Sequence, residues 1–188
     1  IPVAVNLSAR QLQDSSFLDR VLDTLDRTEL DPSLLELELT ETACFESGEA
    51  GRAVFSALRE RGVGLALDDF GTGYGSLQVL HSFPIRKIKI PGLFVHAAED
   101  RELDAAILHA AADLGQSVGI TVVAEGVETP KQLAMVLATR CHAAQGFLLG
   151  RPSIVPQLRS KAAFSSLAGR HPLQQGSAAP PSSYSAGR

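Results

Sequence analysis

The chain has 188 residues, 45% of them hydrophobic, 20% charged and 5% aromatic, which is the profile of one globular domain with a core and too short for two. With 17 Lys and Arg against 21 Asp and Glu the formal charge is -4. The chain as a whole therefore attracts neither a DNA or RNA polymer nor an anionic membrane, and a phosphate-bearing ligand has to be held locally by a metal or a few placed cations.

In chain order, short β-rich runs alternate with helical patterns. A strand near Val3 to Asn6 is followed by a helix with apolar residues at Leu18, Val21, Leu22 and Leu25. A strand from Leu34 to Thr40 leads to a helix carrying Val54 and Leu58, and strands follow at Gly64 to Asp69 and Arg86 to Ile90. A helix with Leu103, Ile107, Ala110 and Leu114 on one face precedes a strand from Ile120 to Glu125. Thr129-Pro130 predicts a helix start with Thr at the cap, and the face Leu133, Val136 and Leu137 comes before a last strand from Ala144 to Leu149. Six repeated units imply a parallel sheet. From about Phe164 the composition turns to Ser, Ala, Gly and Pro, so residues 1–163 are expected to form the domain and 164–188 a disordered tail.

No segment reads as a membrane span: the most apolar stretch, Ala105 to Ala124, is interrupted by His109, Asp113, Gly115, Gln116 and Gly119. No signal peptide is recognisable, and the opening Ile1-Pro2-Val3-Ala4 is read as the start of a piece of a longer protein. Cys44 and Cys141 form neither a disulfide framework nor a zinc spacing, which points to a cytoplasmic setting, either free or as the cytoplasmic part of a membrane-anchored parent. The five histidines share no ligand spacing and read as surface or packing residues.

The polar residues of the strands carry the functional signal. Leu35, Leu37 and Leu39 alternate with Glu36, Glu38 and Thr40, and Ile88 and Ile90 alternate with Lys87 and Lys89. If the apolar set faces helices, the charges face the lumen of a βα barrel, where an unpaired charge is costly. Glu36 with Lys87 reads as a structural ion pair. Asn6, Glu38, Asp68, Asp69, Lys89, Glu125, Glu128 and Gln145 all fall at or just past the C-terminal ends of their strands, the face on which barrel enzymes keep their chemistry.

Five segments occur in a fixed order: Asn6-Leu-Ser-Ala-Arg10-Gln-Leu12, Glu38-Leu-Thr-Glu41, Asp68-Asp-Phe-Gly-Thr-Gly73, Ala124-Glu-Gly-Val-Glu-Thr129 and Gln145-Gly-Phe147. On these the chain, from Val3 to about Pro152, resembles the EAL-domain family. The resemblance implies a modified TIM-like (β/α) barrel and a metal-dependent phosphodiesterase that opens cyclic di-GMP to linear pGpG in bacterial second-messenger signalling. It implies Asn6, Glu38, Asp68, Asp69 and Glu125 as metal ligands for Mg²⁺ or Mn²⁺, two ions in an intact member, and Lys89 and Glu125 as catalytic groups. Glu41, Glu128, Gln145 and Arg10 are implied as substrate or loop supports. The partners implied are cyclic di-GMP, a second copy in a homodimer, and an upstream sensor or diguanylate cyclase domain.

The resemblance also shows departures. The Glu-Ala-Leu segment that names the family, with its metal-ligating Glu, is not in this sequence, and the strands and helix before Val3 are missing, so the expected barrel is incomplete, with open edges prone to oligomerise. Pro91 stands where the family carries an Asp that helps hold the second metal, His142 where Asp is frequent, and Arg86 where an acid is common. Two readings follow: a phosphodiesterase, or a catalytically impaired domain that acts as a cyclic di-GMP receptor or an interaction scaffold.

Overall fold

A computed structural model describes residues 2–73 and 75–152, and the expected tail lies outside them. Its sheet has six strands in the order β1 (Val3–Asn6), β2 (Leu35–Thr40), β3 (Gly64–Asp68), β4 (Lys87–Ile90), β5 (Thr121–Ala124) and β6 (Ala143–Ala144), each parallel to the next. The connections carry α1 (Ala9–Leu12), α2 (Phe17–Thr28), α3 (Glu41–Glu60), α4 (Ser76–Ser82), α5 (Gly92–Ala97), α6 (Glu102–Val118) and α7 (Pro130–Ala138). This is the expected α/β architecture, a run of consecutive barrel strands whose outer members, β1 and β6, do not pair with one another.

Alternation decides which face is which. Leu37 and Leu39, Leu65 and Leu67, Ile88 and Ile90, and Val122 and Ala124 point under the helices and are buried. They meet Ala43, Cys44, Phe55 and Leu58 of α3, with Phe55 and Phe83 edge to face at 5.7 Å. Each such large side chain contributes about 1.5–3 kcal/mol through burial. On β1 the outward residues Val3 and Val5 are 51% and 44% exposed, so the first strand is an uncovered edge.

Local sequence accounts for the helix ends. Ser8 and Gln11 form a capping box on α1, and Thr129 and Gln132 form another on α7, with Pro130 in its first turn. Helix α3 is broken at Gly48, whose φ of 58° and ψ of -145° are non-helical, so two helical stretches meet there at a kink that a glycine backbone permits.

Three sequence expectations differ from the structure, one of them on α7, where Leu137 is 54% exposed instead of sharing the packed face with Leu133 and Val136. The buried stripe of α6 is Leu108, Ala111, Ala112 and Gly115, while Leu103 and Ala110 face solvent. Gly115 selects that face, because its backbone lies against Val122, where a Cβ would collide with Cγ2. The last strand is two residues long rather than running to Leu149. Beyond it Leu149 and Gly150 donate to the Gly146 carbonyl, both at 3.0 Å, turning the chain and leaving Phe147, Leu148 and Leu149 partly exposed. Gly146 abuts the Val127 backbone so closely that any Cβ would clash there. Among the described residues no helix is long and apolar enough to cross a membrane.

Candidate active site

The helix-free side of the sheet bears charge. Glu36 and Glu38 on β2 reach Lys87 and Lys89 on β4 across β3, whose residues on that side are Gly64, Ala66 and, at the strand end, Asp68, so that the stretch between the pairs carries no large side chain. Without bulk on the middle strand, side chains two strands apart can meet. Lys87 Nζ lies 2.6 Å from Glu36, the structural pair expected from sequence. These four residues line a cleft of about 180 Å³ together with Pro2 to Ala4, Val123 and Gln145.

One layer nearer the strand ends, Lys89 sits at the centre of three carboxylates. Its Nζ is 2.8 Å from Glu38 Oε2, 2.8 Å from Glu125 Oε1 and 3.3 Å from Asp68 Oδ1, and its side chain is only 9% exposed. Burial opposes the ammonium charge, but its hydrogen bonds to Glu125 and Glu38 and the negative charges of Glu125 and Asp68 outweigh it and hold the lysine above its ordinary pKa. Lys89 is thus a fixed cation at neutral pH. Glu125 moves in the opposite sense to most salt-bridged acids: burial raises its pKa, the Lys89 bond lowers it, the charges of Asp68 and Glu38 raise it, and the net direction is up. A carboxyl raised in this way is a better proton acceptor near neutrality than an ordinary glutamate.

The structure brings Glu38, Asp68, Lys89 and Glu125 into one cluster and sets the other candidates around it. Asn6 is level with Glu38 across the β1–β2 register. Asp69 follows Asp68 in a left-handed conformation (φ 54°) on the exposed loop. Glu41 lies beneath that loop, 4% exposed, its carboxylate accepting from Gly71 N–H at 2.9 Å, from Gly75 N–H at 3.4 Å and from the Ser76 hydroxyl. Gln145 lines the cleft below the cluster. Glu128 is exposed with its N–H donated to Gln132, and Arg10 is exposed on α1, outside the cluster's hydrogen bonds. Pro91 caps α5 without a side-chain acceptor.

The donor chemistry fits hard divalent cations. Asn6, Glu38, Asp68, Asp69 and Glu125 offer only oxygen, and three of them already surround a positive charge. Among the described residues no group of three or more His, Cys, Asp and Glu is gathered to hold a metal directly, because the carboxylates close on the lysine instead.

Sequence reasoning missed two histidines. His96 Nε2 lies 2.7 Å from the Gly126 carbonyl, and His142 Nδ1 accepts from Val122 N–H at 3.0 Å. Both partners are backbone groups distant in sequence, so no local spacing advertises them. Gln132 had a signal, its position three residues after Thr129 in a capping box.

Carboxylates gathered around a buried lysine at the C-terminal ends of parallel strands occupy the face on which βα-barrel proteins keep their chemistry. Residues 1–152 match the EAL domain, and the chain belongs to the EAL-domain family. It is 40% identical over 161 residues to the bifunctional diguanylate cyclase/cyclic di-GMP phosphodiesterase MucR of Pseudomonas aeruginosa, covering 86% of this chain and 24% of MucR. The solved MucR phosphodiesterase in complex with cyclic di-GMP superposes with a TM-score of 0.78 at 41% identity, over 84% of this chain and 64% of that one. BlrP1 of Klebsiella pneumoniae, solved with manganese and cyclic di-GMP, matches at TM-score 0.75 and 34% identity, over 80% of this chain and 39% of that one. The chain thus spans about a quarter of its curated relative MucR.

Proposed function

We propose that this chain carries the carboxylate and lysine half of a metal-dependent cyclic di-GMP phosphodiesterase site, which hydrolyses the cyclic dinucleotide to linear pGpG. The observation that carries this reading is the Lys89 cluster: one fixed cation and three carboxylates at strand ends, in a family whose relatives are solved with the dinucleotide bound.

A bound Mg²⁺ or Mn²⁺ would neutralise phosphate charge and make a water nucleophilic near neutral pH. Asn6, Glu38, Asp68, Asp69 and Glu125 would hold it. Lys89, charged throughout the physiological range, does not act as a base. Its role is to keep positive charge beside the phosphate and to orient the attacking water by donation. Glu125, 2.8 Å from Lys89 Nζ at the strand end, is the carboxylate placed to take the proton from that water. Glu41 fixes the loop that carries Asp69, while Gln145 and Glu128 border the site. Cyclic di-GMP is the small-molecule partner, and a diguanylate cyclase in the same polypeptide, as the name of MucR gives for that protein, or a sensor domain would supply regulation; a homodimer is part of the same proposal.

Pro91 favours a second reading. It stands where the family carries Asp, and proline brings no side-chain oxygen, so the second metal would be weakly held and the domain would bind the dinucleotide without cleaving it. The test is pGpG formation from cyclic di-GMP by the natural full-length protein, followed by chromatography with Mg²⁺ or Mn²⁺. Product that disappears on chelation and in Glu125→Ala and Asp68→Ala supports the enzyme. Turnover that survives chelation overturns it. Pro91→Asp is expected to raise the rate; an unchanged rate at saturating metal removes Pro91 from consideration.

A further inference from the structure

The turn after β5 carries Glu125 and is gripped from one side by α5 and the residues that follow it. Its backbone is pinned at alternate positions: Glu125 N–H donates to Ile90 O at 2.9 Å and Val127 N–H to Gln145 O at 3.0 Å. Between them Gly126 takes a left-handed conformation (φ 66°) and lies against Gly92, where a Cβ on Gly126 would come within 2.7 Å of the Gly92 Cα. The Gly126 carbonyl meets His96 Nε2 at 2.7 Å; a carbonyl only accepts, so Nε2 carries the proton. Three residues further along, Glu99 accepts from Gln132 Nε2 at 2.7 Å, and Gln132 Oε1 in turn accepts from Glu128 N–H at 2.7 Å and Thr129 N–H at 3.0 Å.

We infer that His96 is a positioning residue. It holds the Gly126 carbonyl and so sets where Glu125 stands relative to Lys89, with the Glu99–Gln132 pair fixing the far end of the same turn. The functional consequence rests on the proposed metal-dependent site; the clamp itself does not.

The experiment uses the 188-residue chain and its variants His96→Ala and His96→Gln, the latter placing an amide N–H near the position of Nε2. Two readouts are taken. Amide hydrogen exchange in the metal-free chain is expected to speed up about fivefold at Gly126 to Glu128 in His96→Ala, as loss of one hydrogen bond implies, to stay unchanged in β1 to β3, and to return to wild type in His96→Gln. Calorimetric Mn²⁺ affinity is expected to fall about tenfold in His96→Ala and to recover in His96→Gln. Unchanged exchange in His96→Ala overturns the clamp, as does equal loss in both variants. Altered exchange with Mn²⁺ affinity intact overturns the positioning role. A wild-type chain that takes no Mn²⁺ while the exchange pattern appears as expected overturns metal binding by these residues on their own and leaves the clamp standing.

Discussion

Lys89 Nζ lies 2.8 Å from Glu125 Oε1, joining the ends of β4 and β5 through one buried ion pair that Glu38 and Asp68 share. Removing the cation leaves three partly buried acids facing a vacant position. Lys89→Ala is therefore expected to cost about 3–5 kcal/mol at pH 7, by urea unfolding.

The pH dependence of that variant has a definite sign. Without its lysine partner, Glu125 loses the interaction that lowers its pKa and rises further above the unfolded value. The folded variant then binds more protons than the unfolded chain, so its stability increases as pH falls from 7 toward the ordinary glutamate value of about 4.3. Wild-type Lys89, raised above ordinary lysine, contributes stability that is complete below about pH 10.4 and is lost as pH rises through its folded value. A Lys89→Ala variant that weakens steadily on acidification over that range contradicts this account.

Ala66, fully buried on the middle strand, is what allows β2 and β4 to pair their charges. Ala66→Leu is expected to separate Glu38 from Lys89 and to destabilise by about 1–3 kcal/mol through overpacking. A crystal structure of the variant with Lys89 still within 3 Å of Glu38 would show that the strand-skipping pairs do not depend on a small residue.

Glu41 satisfies Gly71 and Gly75 N–H and the Ser76 hydroxyl from beneath the Asp69 loop. Glu41→Ala is expected to cost about 1–3 kcal/mol by leaving the Gly75 N–H and the Ser76 hydroxyl without this acceptor while Gly71 N–H keeps the Ser76 oxygen at 3.1 Å, and Glu41→Gln less, since the amide keeps one oxygen. Urea midpoints for the two variants check the order; equal midpoints would remove Glu41 as the support.

His142 completes the β5 ladder, accepting from Val122 N–H while its own N–H donates to Val122 O at 2.8 Å. The accepting nitrogen carries no proton. His142→Ala is expected to lose about 1–3 kcal/mol, and His142→Asp, which restores an acceptor there, is expected to recover most of it. Thermal unfolding of both variants checks this.

Much of the site could be read from residue order because strand periodicity is a local property. The alternation in Leu35 to Thr40 and Lys87 to Ile90 already places Glu38 and Lys89 on one face, and the structure pairs them at 2.8 Å. What sequence did not show are contacts made by backbone geometry at long range. The buried face of α6 is chosen by how closely Gly115 lies against Val122, a choice that apolar spacing alone leaves open. The end of β6 follows from Gly146 turning beside Val127, and the roles of His96 and His142 come from carbonyl and amide groups 30 and 20 residues away.

The most direct test of the central claim is calorimetric titration of cyclic di-GMP into the natural full-length protein with Mn²⁺, followed by chromatography of the same sample. Saturable binding accompanied by pGpG is the predicted result. Binding with the dinucleotide recovered intact would contradict catalysis and make the domain a receptor, and no binding by a folded sample would contradict both the catalytic and the receptor readings of the Lys89 cluster.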